Sequence, residues 1–136
     1  MSLLILSFLS SCQISYEGGG NTIKIVNRTD SYIAVEFSQD TVSKNLNKVE
    51  YYIRKQIKPY DSLEFHGGIE PSPWQKFIVN SVNKKLNVFV YNADTLVKYM
   101  NMEQIRRNRL WVVEMSISQS ELDSMKWVIV YDGKNR

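Results

Sequence analysis

From residue 22 onward, apolar and polar residues alternate in short runs. Thr22–Asn27 places Ile23 and Ile25 on one face and Lys24 on the other, and Ser31–Phe37 sets Ile33, Val35 and Phe37 against Tyr32, Ala34 and Glu36. A period of two marks a half-buried strand. The intervening Arg28-Thr29-Asp30 is turn chemistry, so the two runs predict an antiparallel hairpin. Ser38–Lys48 is polar and reads as a loop. Val49–Lys55 places Val49, Tyr51 and Ile53 on one face and predicts a strand. Ser62–His66 does the same with Leu63 and Phe65, and Pro59 just ahead of it favours an edge or a turn.

The second half mixes periods. Trp74, Phe77, Ile78 and Val82 fall at helical spacing. Leu86–Tyr91 is apolar on both faces, as a central strand is. Asp94 is placed to cap a helix through Leu96, Tyr99 and Met100, continuing in a second piece to Arg107. Leu110–Ile117 predicts another strand. Ser118-Gln119-Ser120-Glu121 fits a capping box, in which side chains three residues apart satisfy each other's unpaired backbone amides. Lys126–Tyr131 is the last strand, with Trp127, Ile129 and Tyr131 alternating with Val128 and Val130, and Asp132-Gly133 ends it.

About seven strands, mostly apolar on one side, need a second layer to cover them. The expected fold is mainly β, an antiparallel β-sandwich with short helices in the second half. The alternative is an α+β sheet with helices on one face. Residues 22–132 form one expected domain, followed by a tail at 133–136.

The start of the chain has a different character. Leu3, Leu4, Ile5, Leu6, Phe8 and Leu9 form an apolar run, and no charge precedes Glu17. The run is too short for a transmembrane helix, which needs about 20 apolar residues, and it matches the apolar centre of a signal peptide. Leu9-Ser10-Ser11-Cys12 resembles the bacterial lipobox, a leucine and two small residues ahead of a cysteine. That resemblance implies diacylglyceryl attachment to the Cys12 thiol, cleavage just before it, and palmitate-type acylation of the new terminus. Residues 1–11 are then the remnant of a signal peptide, whose basic opening is expected upstream of Met1. Residues 12–21 become a lipidated cysteine and a tether loosened by Gly18-Gly19-Gly20. Two acyl chains hold a protein stably on a bilayer, where one holds it only marginally.

Composition narrows the chemistry. One Cys and one His among 136 residues exclude an intrachain disulfide and multi-Cys or multi-His metal sites. A net charge of +3 is too small to argue for nucleic acid. His66-Gly67-Gly68 is similar to an esterase oxyanion loop, but no Gly-x-Ser-x-Gly elbow and no second His accompany it, so it reads as a strand end and a turn. Glu36, Glu50, Glu64 and Glu114 lie in strand runs, where Glu usually faces solvent. Asn92 and Asp94 lack further ligands at loop spacing. Asn27-Arg28-Thr29 matches a glycosylation sequon that has no bearing on a bacterial lipoprotein. Arg106, Arg107 and Arg109 form the one dense basic cluster, suited to anionic headgroups or phosphate, or simply to a helix end. Trp74, beside the loop prolines Pro71 and Pro73, is the aromatic expected to be exposed and available for binding.

Leu86–Asp94, Leu110, Ser120-Glu121-Leu122 and Trp127–Tyr131 together resemble the ending of small lipoproteins of gut and oral Bacteroidota. That family carries no established activity, so the resemblance implies a compartment and a fold and no catalytic residues. The expectation is a non-catalytic binding or structural module of the bacterial envelope, lipid-anchored at the outer membrane. It has no cofactor and no metal, and an envelope protein or a glycan is its expected partner. A glycan-binding or hydrolytic accessory protein is the alternative.

Overall fold

The computed structural model describes residues 22–43 and 47–134. The expected signal remnant, Cys12 and the tether lie outside those residues. Six strands are described: β1 (Thr22–Asn27), β2 (Ile33–Ser38), β3 (Ser62–His66), β4 (Leu86–Asn92), β5 (Val113–Ile117) and β6 (Val128–Tyr131). Five short helices join them: α1 (Val49–Arg54), α2 (Pro73–Val79), α3 (Ala93–Tyr99), α4 (Met102–Arg107) and α5 (Gln119–Ser124). The strands form two three-stranded sheets, ordered β3–β1–β6 and β2–β4–β5. The β1–β6 pair is parallel and the other pairs are antiparallel. The fold is therefore mixed α and β, with six strands in two open sheets where about seven antiparallel strands were expected.

The alternation is used as the sequence indicates. Ile23 and Ile25 of β1, Ile33 and Val35 of β2, Leu86, Val88 and Val90 of β4, Val113 and Ile117 of β5, and Ile129 of β6 share one apolar cluster between the sheets. Full burial of each such side chain contributes about 1.5–3 kcal/mol. The far face of β2–β4–β5 holds a second cluster, in which Ala34, Phe89 and Tyr91 are covered by Val49 and Tyr52 of α1, Leu96 of α3, and Met102 and Ile105 of α4. β4 is thus buried on both faces and central, as predicted.

Two predicted elements change. β1 and β2 are not a hairpin, because they belong to different sheets. The reason lies in Asn27, which is fully buried at the turn. Its Nδ2 donates to the carbonyls of Ser31 (2.8 Å), Ile57 (3.2 Å) and Lys58 (3.1 Å), and its Oδ1 accepts from the Thr29 amide and hydroxyl. These bonds hold the chain in a corner, so the apolar faces of β1 and β2 meet across the interior instead of lying side by side. The residue that completes a sequon by pattern is the pin of this corner. Val49–Arg54 is a helix rather than a strand. Val49 and Tyr52, three apart, pack on the exposed apolar face of β2–β4, with Glu50 in the first turn and Arg54 in the last, where the helix dipole favours each sign.

The remaining elements follow the pattern more closely. β3 is an edge strand, as Pro59 suggested. The helical piece at Trp74 ends at Val79, and Val82 lies beyond it, exposed. The two-piece helix to Arg107 is present, but Asn92 provides the cap by accepting from the Asp94 amide, and Asp94 stands in the first turn. The capping box of α5 is complete on both sides.

Candidate functional site

The densest group of ionisable and hydroxyl side chains is built on the far face of β2. Strand alternation puts Glu36 on the same face as Ala34, and α1 and α4 close over that face. The Glu36 side chain is left 0% exposed. Its Oε1 accepts from the Ser43 hydroxyl and the Tyr91 hydroxyl, both at 2.7 Å. Arg106, projecting from α4, donates from Nε to Ser43 Oγ at 2.8 Å and sets Nη2 3.9 Å from Glu36 Oε2. Tyr52 of α1 packs near Tyr91, ring centroids 6.2 Å apart.

These groups shape one another electrostatically. Burial, and secondarily the charge of Glu36, pushes the Tyr91 hydroxyl far above the ordinary tyrosine range. The same two causes, in the same order, push Tyr52 up. A raised tyrosine pKa means that the folded state resists forming the phenolate. The stability this represents is fully present below about pH 10, where free tyrosine begins to ionise, and is lost as pH rises. An alkaline absorbance titration is therefore expected to fall short of the full tyrosine count while the protein stays folded. The missing phenolates should appear together with unfolding, followed by circular dichroism. Complete titration of the folded protein would contradict the burial of Tyr52 and Tyr91.

A cleft of about 360 Å³ adjoins the cluster, lined by Asn47, Lys48, Glu50, Met100, Asn101 and Arg106 among others. Arg106 belongs to both. The carboxylate itself does not reach the cleft surface, and a general base must come within about 3 Å of the proton it takes. The arrangement neutralises and fixes a buried charge, clamping α4 to β2.

The sequence-predicted residues separate. Trp74 is 7% exposed, not an open binding aromatic: its ring packs on Phe37 at 5.0 Å, and its Nε1 donates to the Phe65 carbonyl at 3.1 Å. The two prolines ahead of it do not keep it in a loop, because Pro73 starts α2 and Trp74 stands in its first turn. Arg106, Arg107 and Arg109 do not form one basic face. Arg106 turns in to Glu36, Arg107 pairs with Glu103 at 2.7 Å along the surface of α4, and Arg109 lies over the Trp111 ring at 5.2 Å. Glu50, Glu64 and Glu114 are exposed, as expected, and Glu36 is the exception.

His66 ends β3, with its Nδ1 3.0 Å from Thr22 Oγ1. Gly67 follows because a Cβ there would come within 2.6 Å of the Pro73 ring. Close packing of the turn on α2 accounts for Gly67, and the φ of 124° at Gly68, which favours glycine, accounts for the second glycine. Among the described residues, no group of three or more His, Cys, Asp or Glu side chains gathers as a metal site.

Sequence reasoning did not single out Glu36, Ser43, Tyr52 or Tyr91. The available signal was indirect. β4 carries Phe89 and Tyr91 on the face opposite Val88 and Val90, so that face needs a cover, and any cover also buries Glu36 on the neighbouring strand. No family model, no curated protein and no solved structure matches this chain.

Proposed function

We propose that this chain is a lipid-anchored, non-catalytic binding module of the bacterial envelope, held at the outer membrane through Cys12. In this reading the two sheets are the halves of a small open sandwich. The observation that carries the reading is the contrast between two regions. The group richest in acid, base and hydroxyl chemistry, around Glu36, is turned inward, its carboxylate bonded to Ser43 and Tyr91, whereas among the described residues the seam between β5 and β6 is left open and apolar. A scaffold that locks its reactive groups and exposes an apolar seam is suited to holding a partner. The anchor rests on Leu9-Ser10-Ser11-Cys12 and the glycine-rich tether that follows.

The test is expression in a bacterial host behind a complete signal sequence, with metabolic labelling by a palmitate analogue. The native chain should take up label and partition into the detergent phase. Cys12→Ser should lose both. Retention of detergent partitioning by Cys12→Ser would overturn the lipoprotein reading.

A further inference from the structure

Each sheet has two edge strands, and the two ends of the molecule treat them differently. Between β2 and β3 the gap is filled: Phe37, Phe65 and Trp74 meet with ring centroids 5.1 and 5.0 Å from Phe37, and Phe77 adds a third edge-to-face contact on Trp74 at 5.4 Å. Between β5 and β6 the gap is a groove of about 290 Å³.

The residues lining that groove reveal what it presents. On β5 they are four in succession, Glu114 to Ile117, and on β6 two in succession, Ile129 and Val130. Successive residues of a strand point to opposite faces, so a surface touched by all of them is a strand edge and not a face. Ser116 makes this plain. The Ala93 amide bonds to the Tyr32 carbonyl, so Tyr91, Phe89 and Asn87, at alternate positions back along β4, turn their backbone groups to β2, and Ser116, paired opposite Asn87, turns its own away from β4 and into the groove.

The ladder fixes the direction on β6 as well. The Lys24 amide bonds to the Trp127 carbonyl and the Arg28 amide to the Tyr131 carbonyl, so residues 127, 129 and 131 turn their backbone groups to β1. The amide and carbonyl of Val130 then point into the groove. Met115, Ile117, Met125 and Ile129 supply an apolar lining, and the exposed carboxylates of Glu114 and Glu121 stand at the rim.

We propose that the β5–β6 groove is a strand-acceptor site for an extended segment of a partner protein. The segment would carry apolar side chains at alternate positions and Lys or Arg at the others. Backbone donors and acceptors on two facing edges can be satisfied together by a strand, the apolar lining takes its inward side chains, and the carboxylates meet its basic ones. Insertion would join the two sheets into one continuous order, β3–β1–β6–partner–β5–β4–β2. This rests on the binding-module reading above and is independent of the lipid anchor.

The experiment uses the full chain with isotope-labelled amides and three synthetic ten-residue peptides. One alternates Ile and Lys, one has the same composition with the alternation scrambled, and one alternates Ile and Glu. The Ile/Lys peptide is expected to slow hydrogen exchange at Val130 and within Glu114–Ile117, with the scrambled and Ile/Glu peptides at least about tenfold weaker, a difference of about 1.4 kcal/mol. Val130→Pro removes a donor from the groove side alone and should abolish the protection. Glu114→Lys, at an exposed position that does not test folding, should weaken Ile/Lys binding several-fold and improve Ile/Glu binding.

No protection at millimolar Ile/Lys peptide, equal binding of the scrambled peptide, or protection mapping elsewhere would overturn the site. So would concentration-dependent protection of the same amides without peptide, which would assign the groove to a second copy of the chain. Any of these outcomes with normal palmitate labelling would leave the anchor standing, and failed labelling with normal strand addition would remove only the anchor.

Discussion

Trp127→Ala is expected to destabilise the protein by about 3–5 kcal/mol, the range for removing a large buried aromatic and leaving a cavity. Trp127 is 2% exposed and joins the apolar cluster between the sheets. Standing just ahead of β6, it also ties α5 to β1. Its amide donates to the Leu122 carbonyl in α5 at 2.8 Å, its carbonyl accepts from the Lys24 amide in β1 at 3.0 Å, and its ring Nε1 donates to Asp123 Oδ1 at 2.9 Å. The backbone at Lys126 and Trp127 is left-handed, with φ of 56° and 60°. Such residues persist only where surrounding contacts hold them, and here the buried indole does so. Trp127→Phe keeps most of the volume and loses the ring hydrogen bond, so it should fall well short of the alanine effect. Urea unfolding followed by far-ultraviolet circular dichroism measures both. An alanine variant within about 0.5 kcal/mol of the native protein, the range of an ordinary surface substitution, would mean that β6 does not pack as described.

The sequence was legible where one physical signal dominates. Alternation located β1, β2, β3 and β6, the doubly apolar run identified β4 as central, and Ser118 with Glu121 announced the α5 capping box. It was less legible where the same pattern serves two geometries. Ile23 and Ile25 alternate with polar residues whether β1 pairs with β2 or faces it across the core. The deciding contacts are those of Asn27 with Ile57 and Lys58, about 30 positions away. Val49, Tyr51 and Ile53 satisfy a strand period, while Val49, Tyr52 and Ile53 satisfy a helical one equally well. The uncovered face of β4 selected the helix.

The site was the least legible part. Glu36 within an alternating run has the sequence of an exposed strand residue, and its burial depends on α1 and α4 arriving from elsewhere in the chain. Arg106 looks like one member of a basic cluster until its partner is known. Trp74 looks like a loop aromatic because the prolines beside it suggest irregular backbone, yet Pro73 is where α2 starts.

The Glu36–Arg106 pair yields the other large expected effect. Arg106→Met keeps much of the side-chain volume but removes the cation and the Nε donor to Ser43. Glu36 would stay fully buried without that cation, with Ser43 and Tyr91 still donating to it. Removing one partner of a buried ion pair costs about 3–5 kcal/mol, and the lower end, about 3 kcal/mol, applies here. The Arg106 side chain is 20% exposed as a whole, and its buried Nη2 stands 3.9 Å from the carboxylate, beyond hydrogen-bond distance. Glu36→Gln removes the charge but keeps an oxygen able to accept from Ser43 and Tyr91, and the cation it leaves behind is the partly exposed partner. Its effect should be smaller, about 1–2 kcal/mol, near the loss of one charge-assisted hydrogen bond. In the double variant the buried carboxylate charge that Arg106 attracts is gone, so its destabilisation should fall below the sum of the two by about 1–3 kcal/mol, the coupling expected of residues in one network. Urea midpoints of the four proteins complete the cycle. Strict additivity, or Glu36→Gln exceeding Arg106→Met, would show that the pair does not stabilise the joint between α4 and β2 through its charges.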